Sequence, residues 1–173
     1  MYIREAEPSD VDTIFNIGRQ SYIHHFSSIW SPQGIEDHIQ NGFSPEIILK
    51  GLRDEDSQRW FLASDNCDER SQPIGFATVC YHKPIPNTNQ IGMELQKLYF
   101  RSEFTGRGCG GKMMDHVIAY ARQLNYSILW LDVLKSNTGG QRFYLQYGFQ
   151  QVGELEFNTD LQSVGQYVMA KTL

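Results

Sequence analysis

Apolar and polar positions change their period several times along the chain, and each change predicts the boundary of an element. Residues 2–6 carry an extended pattern, after which Pro8-Ser9-Asp10 opens a helix with Val11, Ile14, Phe15 and Ile17 at helical spacing. Ser9 or Asp10 is placed to cap it. Across residues 22–52 the helical period persists but is interrupted at Ser31-Pro32, Gly34, Gly42 and Ser44-Pro45, which predicts two short helices rather than one long one. Residues 60–64 and 73–81 read as a β-hairpin joined by a polar loop over 65–72, and Pro84, Pro86 and Asn87 as an exposed turn. Residues 93–100 form a further strand, in which simple alternation places Glu94, Gln96, Leu98 and Phe100 on one face and the odd-numbered residues on the other. Beyond it Met113, Met114, Val117, Ile118, Ala121 and Leu124 recur at three- and four-residue spacing, an amphipathic helix of about three turns. A strand over 128–134, a short helix around Phe143-Tyr144-Leu145 stopped at Gly148, and two strands near 149–157 and 164–170 complete the chain.

Strand and helix patterns alternate without repeat or long linker, so the expectation is one α/β or α+β domain over residues 1–173. Composition narrows the class. With 40% hydrophobic residues, 13% of all residues being aromatic, the chain can bury one sizeable core. No apolar run approaches the roughly 18 residues of a membrane span, and no apolar leader follows Met1, so no membrane partner is expected. Cys67, Cys80 and Cys109 are odd in number and far apart, which suits neither a disulfide framework nor a metal knuckle and points to a reducing, cytoplasmic setting. No histidine stands in a ligand spacing, so no metal is expected. Fifteen Lys and Arg against twenty Asp and Glu, a net charge of −5, argue against sequence-independent nucleic-acid binding and mildly favour cationic partners.

The chemistry concentrates in the run Thr105-Gly106-Arg107-Gly108-Cys109-Gly110-Gly111-Lys112. Four glycines between a strand and a helix leave backbone N–H groups free at the positive end of the helix, a place that binds an anion, usually phosphate. Three phosphate motifs compete for it. Gly106, Gly111 and Lys112 match a P-loop, but Met113 stands where a hydroxyl must reach magnesium, and a thioether cannot replace that hard ligand. Gly106, Gly108 and Gly111 match the dinucleotide fingerprint, with Asp132 lying 21 residues beyond Gly111. Against that reading, five residues separate Phe100 from Gly106, and only 62 residues follow Gly111 to complete a doubly wound sheet.

The third reading uses the surroundings too. Leu98-Tyr99-Phe100, then Thr105, Gly108 and Gly110, then Asn137, then Phe143-Tyr144 and Gly148-Phe149 resemble, in order and spacing, the GCN5-related N-acetyltransferase (GNAT) family. The resemblance covers roughly residues 94–149. More loosely, the N-terminal half, with Phe43-Ser44-Pro45 and Leu49 ahead of Trp60, is similar to the spermidine/spermine acetyltransferase-like branch. The resemblance implies a GNAT fold: a mixed, mostly antiparallel twisted sheet of about seven strands, with strands 4 and 5 splayed and about four flanking helices. It also implies acetyl-CoA in the opening, with its pyrophosphate on the backbone of residues 106–111. Leu98, Tyr99 and Phe100 would offer backbone groups to the pantetheine arm, and Asn137 would reach the same arm. Two positions depart from the family pattern: Thr105 replaces the usual Gln or Arg, and Gly140 a frequent Ala. Arg101, Arg107 and Lys112 remain to supply charge-assisted bonds to phosphate.

Acetyl transfer to an amine needs a proton acceptor, because an alkylamine with pKa near 10.4 arrives protonated at neutral pH. Glu94 is the candidate base, with Gln96 placed to help hold a water; a solvated carboxylate or simple cation anchor is the alternative for Glu94. Tyr144 stands where the family places a tyrosine near the coenzyme sulfur, and its hydroxyl could protonate the departing thiolate; a core aromatic is the alternative. A backbone N–H of the strand around 98–100 would meet the developing oxyanion. Cys109, at a helix N-terminus beside Arg107, raises a rival acetyl-cysteine route. Tyr22, Phe26 and Trp30 are candidates to shape an acceptor pocket or to fill the core, and Glu36 and Asp37 to steer a polyamine or to face solvent. The expected acceptor is a small amine, such as a polyamine, or a peptide amine. Two other functions stay open, a non-catalytic CoA or nucleotide sensor and a dinucleotide enzyme, and aromatic residues in the first half admit a homodimer.

Overall fold

The computed structural model describes residues 1–65 and 71–173, so Cys67 and most of the expected polar loop lie outside it. Seven strands form: β1 (Tyr2–Glu5), β2 (Gln58–Ser64), β3 (Pro73–Pro84), β4 (Ile91–Phe100), β5 (Ile128–Leu134), β6 (Gln150–Leu155) and β7 (Gln166–Thr172). Among the described residues five α-helices accompany them: α1 (Val11–Phe26), α2 (Pro32–Phe43), α3 (Pro45–Arg53), α4 (Cys109–Gln123) and α5 (Thr138–Gln146). The strands make one sheet in the order β1-β2-β3-β4-β5-β7-β6, antiparallel throughout except where β4 meets β5. That single parallel pair is the one the helical crossover α4 connects. A doubly wound dinucleotide-binding sheet is thereby excluded, since it would be mostly parallel.

Both faces of the sheet are covered, which explains why β3 is buried from Ile74 to Cys80 without the polar alternation of a one-sided strand. On one face Phe61, Ala77, Val79 and Met93 pack with Met113, Met114 and Val117 of α4. On the other, Trp60, Leu62 and Phe76 pack with Ile14 and Ile17 of α1, Phe43 of α2 and Ile48 of α3. Phe43 and Phe76 stack with ring centroids 5.7 Å apart.

The two Ser-Pro breaks become helix starts. Ser31 Oγ accepts from Gly34 N at 3.0 Å and Ser44 Oγ from Ile47 N at 3.5 Å, with proline following each in the first turn. At the first helix Asp10 is the N-cap residue, as expected, but its carboxylate makes no bond to the helix amides. It accepts instead from both terminal nitrogens of the Arg4 guanidinium, at 2.7 and 2.8 Å, and from the Glu7 amide at 2.8 Å, tying β1 to the helix start. α1 also continues to Phe26, so the first five residues of the interrupted segment belong to it.

Candidate active site

The site arises where β4 and β5 part. Their pairing spans only Met93 with Leu129 and Glu94 with Trp130, after which neither strand has the other as partner. On its other edge β4 stays paired with β3, but the register slips: Thr78 faces Lys97 and Val79 faces Leu95, leaving Gln96 as an extra residue. This β-bulge inverts the alternation expected from the sequence. Leu98 and Phe100 share the α4 face with Met93 and Leu95, whereas Tyr99 packs on the opposite face. Glu94 therefore does not share a face with Leu98 and Phe100. It lines a cleft with Lys97 and Tyr99.

Two cavities open along the splay, of about 430 and 470 Å³, and both are lined by Phe26, Leu98, Tyr99, Asn137 and Tyr144. The larger is a groove floored by the glycine loop, with Thr105, Gly106, Gly108, Gly110 and Gly111 on its wall. Gly106 and Gly108 have φ of +77° and +79°, the left-handed backbone that a side chain disfavours. Gly108 is the N-cap of α4 and has no side chain to close the helix end. Lys112 N bonds to Gly108 O at 3.2 Å, but among the described residues no acceptor meets the amides of residues 106–111. A row of unmatched N–H groups at a helix N-terminus is the donor set that a diphosphate requires, so these residues fit that group.

Side chains of the same run behave differently. Cys109 is buried in the core under α4, Lys112 is exposed, and Arg107 lies 5.4 Å from the Phe104 ring centroid. None of the three lines the groove. Arg101 is engaged by Pro73 O and Gln20 Oε1, each at 3.2 Å. Asn137 lines both cavities and also caps α5, its Oδ1 accepting from Gly140 N at 2.9 Å. That cap accounts for Gly140, since a Cβ there would come within 2.7 Å of the Asn137 amide nitrogen.

The second cavity holds the titratable groups. Glu94 and Asp132 face it from β4 and β5, Lys97 from beyond the bulge and His38 from α2. Burial, and then Asp132, push the Glu94 carboxyl above its ordinary range, while Lys83 and Lys97 pull it down. Burial raises Asp132 as well, against the pull of Lys97. Lys97 and His38 are lowered by burial, His38 further by Lys97. Cys80, opposite Glu94 across the β3–β4 ladder, is pushed up to about 11 by burial and by Glu94. Tyr144 rises through burial and then Asp132, and its hydroxyl has no hydrogen-bond partner among the described residues.

Aromatic residues wall the cleft. Tyr22 and Phe26 line it; Trp30 does not, but supports it by donating to Tyr22 Oη at 3.3 Å and packing 4.8 Å from the His38 ring. Phe157, from the segment after β6, meets His38 edge-on at 6.1 Å. Asp160 pins that segment to the start of α2 by accepting from Ser31 N at 3.1 Å and from Ser31 Oγ. Glu36 is paired with Arg19, and Asp37 accepts from Gln33 at 2.8 Å; neither lines the cleft.

Sequence reading brought Glu94, Tyr144, Asn137 and the glycine loop to one place but missed Lys97 and His38, and saw Asp132 only as the acidic position of a nucleotide-binding motif. A charged residue in the middle of a strand otherwise apolar, Ile-Leu-Trp-Leu-Asp-Val-Leu, was the available signal for Asp132. Nothing local distinguished Lys97 or His38.

The sequence pattern described as the Acetyltransferase (GNAT) family matches residues 15–149. A protein of Lactobacillus delbrueckii subsp. lactis, named an uncharacterized N-acetyltransferase in the pepI 3' region, is 21% identical over 155 residues, 90% of this chain and 87% of that one. The spermine/spermidine N(1)-acetyltransferase of Bacillus subtilis is 29% identical over 102 residues, a local likeness covering 58% of this chain and 63% of that protein. The crystal structure of a PaiA N-acetyltransferase from Thermoplasma acidophilum, in complex with coenzyme A, superposes with a TM-score of 0.79 over 99% of this chain and 98% of that one, at 22% identity. That last likeness is one of fold. Among the described residues no helix is long and apolar enough to cross a membrane.

Proposed function

The chain belongs to the acetyltransferase (GNAT) family by its match over residues 15–149, and from that premise we propose that it transfers acetyl from acetyl-CoA to a small primary amine while both are bound. The observation that carries this reading is the meeting of the two cavities at Leu98, Tyr99, Asn137 and Tyr144, with unmatched amides on one side and Glu94 on the other. The groove residues 106–111 hold the diphosphate, and the β4 edge that β5 abandons after Glu94 offers backbone groups to the arm. Acetyl-CoA supplies the acetyl group as a thioester. Glu94 accepts a proton from the ammonium, directly or through water, so that neutral nitrogen attacks; burial keeps this carboxyl more basic than a surface one. As the C–N bond forms and the C–S bond breaks, the Tyr144 hydroxyl, kept protonated at neutral pH by its raised pKa, donates a proton to the departing thiolate, and the proton that the acylated nitrogen sheds restores the hydroxyl. The local likeness to a protein named for spermine and spermidine supports a small amine as the class of acceptor.

Thiol release measured against a panel of amines tests the reading. Glu94→Gln and Tyr144→Phe should each lower kcat by about a hundredfold or more, the usual weight of a general acid or base, while calorimetry finds acetyl-CoA affinity nearly unchanged. Wild-type kcat in both variants refutes these roles. Acetyl-CoA binding with no amine consumed would leave a sensor instead of an enzyme.

A further inference from the structure

The walls of the acceptor cleft carry charges of both signs that do not neutralise one another by contact. Among the described residues no ion pair within 4.0 Å joins Lys97 to Glu94 or Asp132. Asp132 takes Gln166 Nε2 at 2.7 Å, and Glu94 has no hydrogen-bond partner there. Lys97 Nζ donates to the neighbouring Gln96 Oε1 at 2.6 Å and stands 5.9 Å from the Phe43 ring centroid. Lys97 is half-buried and its bond to Gln96 is exposed, so its ammonium faces the cleft with one amide and one ring beside it. A cation on the cleft wall with no carboxylate against it points to an anionic group of a ligand.

We infer that Lys97 determines acceptor specificity by receiving a carboxylate of the substrate, so that the acceptor is a small molecule bearing a primary amine and a carboxylate, not a di- or polyamine. The inference rests on the transferase reading and narrows it. The bulge at Gln96 turns Lys97 onto the face of Glu94, so one strand presents an acid for the amine and a cation for the anion. Asp132 on the facing strand reinforces the acidic side, and Tyr22 and Phe26 offer apolar walls to the carbon chain between. His38, held low by burial and Lys97, adds no second cation at neutral pH. Two acidic side chains and one amine line the cleft, so a polyamine with several ammonium groups would set one of them against Lys97.

Thiol release is measured with matched acceptors: γ-aminobutyrate against putrescine, ε-aminocaproate against hexamethylenediamine, lysine against its methyl ester and cadaverine, with spermidine added. The best acceptor is expected to carry a carboxylate and to exceed its partner in kcat/KM by about tenfold or more. Lys97→Gln should erase that preference through KM, Lys97→Arg retain it and Lys97→Glu invert it, all with wild-type acetyl-CoA affinity by calorimetry. A wild-type preference for putrescine or spermidine, or a preference unmoved in Lys97→Gln, overturns the inference and leaves the transferase reading standing. If no amine is consumed although acetyl-CoA binds, the transferase reading fails, and titration of γ-aminobutyrate and ε-aminocaproate into coenzyme-loaded protein decides the role of Lys97. Binding lost in Lys97→Gln then supports it, and no binding to the parent protein overturns it.

Discussion

Alanine at Gly108 and at Gly110 should move stability in opposite directions while both weaken coenzyme binding. Gly108 holds φ of +79°, and a Cβ there meets nothing within 4 Å, so the only cost is the left-handed backbone, about 1–2 kcal/mol. Gly110 lies in the first turn of α4 without a positive φ, and a Cβ there finds its nearest neighbour, Phe143 Cζ, at an ordinary 3.8 Å. Alanine is thus accommodated and stabilises the helix by up to about 1 kcal/mol relative to glycine. Equilibrium urea unfolding of the free protein should therefore rank Gly110→Ala at or above the parent, and Gly108→Ala below it by about 1–2 kcal/mol. The new methyl of Gly110→Ala stands on the groove wall beside Phe143, where a phosphate must approach the backbone. Losing one charge-assisted hydrogen bond costs about 1.5–3 kcal/mol, which calorimetric titration with acetyl-CoA would register as a Kd raised about tenfold to a hundredfold. A more stable Gly110→Ala that still binds acetyl-CoA as tightly as the parent refutes the placement of the diphosphate on this loop.

The acid limb of kcat/KM should follow Glu94, falling as its carboxylate is protonated, and should lie above the ordinary carboxylate value of about 4.3 because burial and Asp132 raise it. Asp132→Asn removes a repulsion and shifts the limb to lower pH; Lys97→Gln removes an attraction and shifts it higher; shifts of the same sign in both would refute the assignment. A carboxyl raised on folding weakens the fold as pH climbs from its unfolded value through its folded one, so Glu94→Gln should unfold at higher urea than the parent at neutral pH. Cys109→Ser should keep turnover and intersecting initial-rate lines, because the thiol faces the core and not the groove; parallel lines in the parent or an inactive variant would restore the acetyl-cysteine route. Gly18→Ala sets a Cβ 2.1 Å from Phe43 Cε1, in the stack with Phe76, and should lower stability by about 1–3 kcal/mol despite the better helix former; an unchanged urea midpoint would show that the stack yields freely.

Much of this protein was readable one residue after another. Element types followed from period, the Ser-Pro pairs marked the starts of α2 and α3, and the glycine run announced unmatched amides, because each depends on groups a few bonds apart. What depended on a second strand did not show. Alternation along β4 is counted within one chain, whereas the bulge at Gln96 exists only relative to β3, and that one extra residue decides that Lys97, and not Leu98, shares a strand face with Glu94. The basicity of Glu94 likewise comes from the protein packed around it and from Asp132, a residue of β5 that reaches it only because the crossover sets the two strands side by side before they part. Local sequence thus determined which pieces form and where a phosphate is welcome. Tertiary pairing alone decided which charges look at one another, since register and burial are properties of neighbours that the chain itself does not place in order.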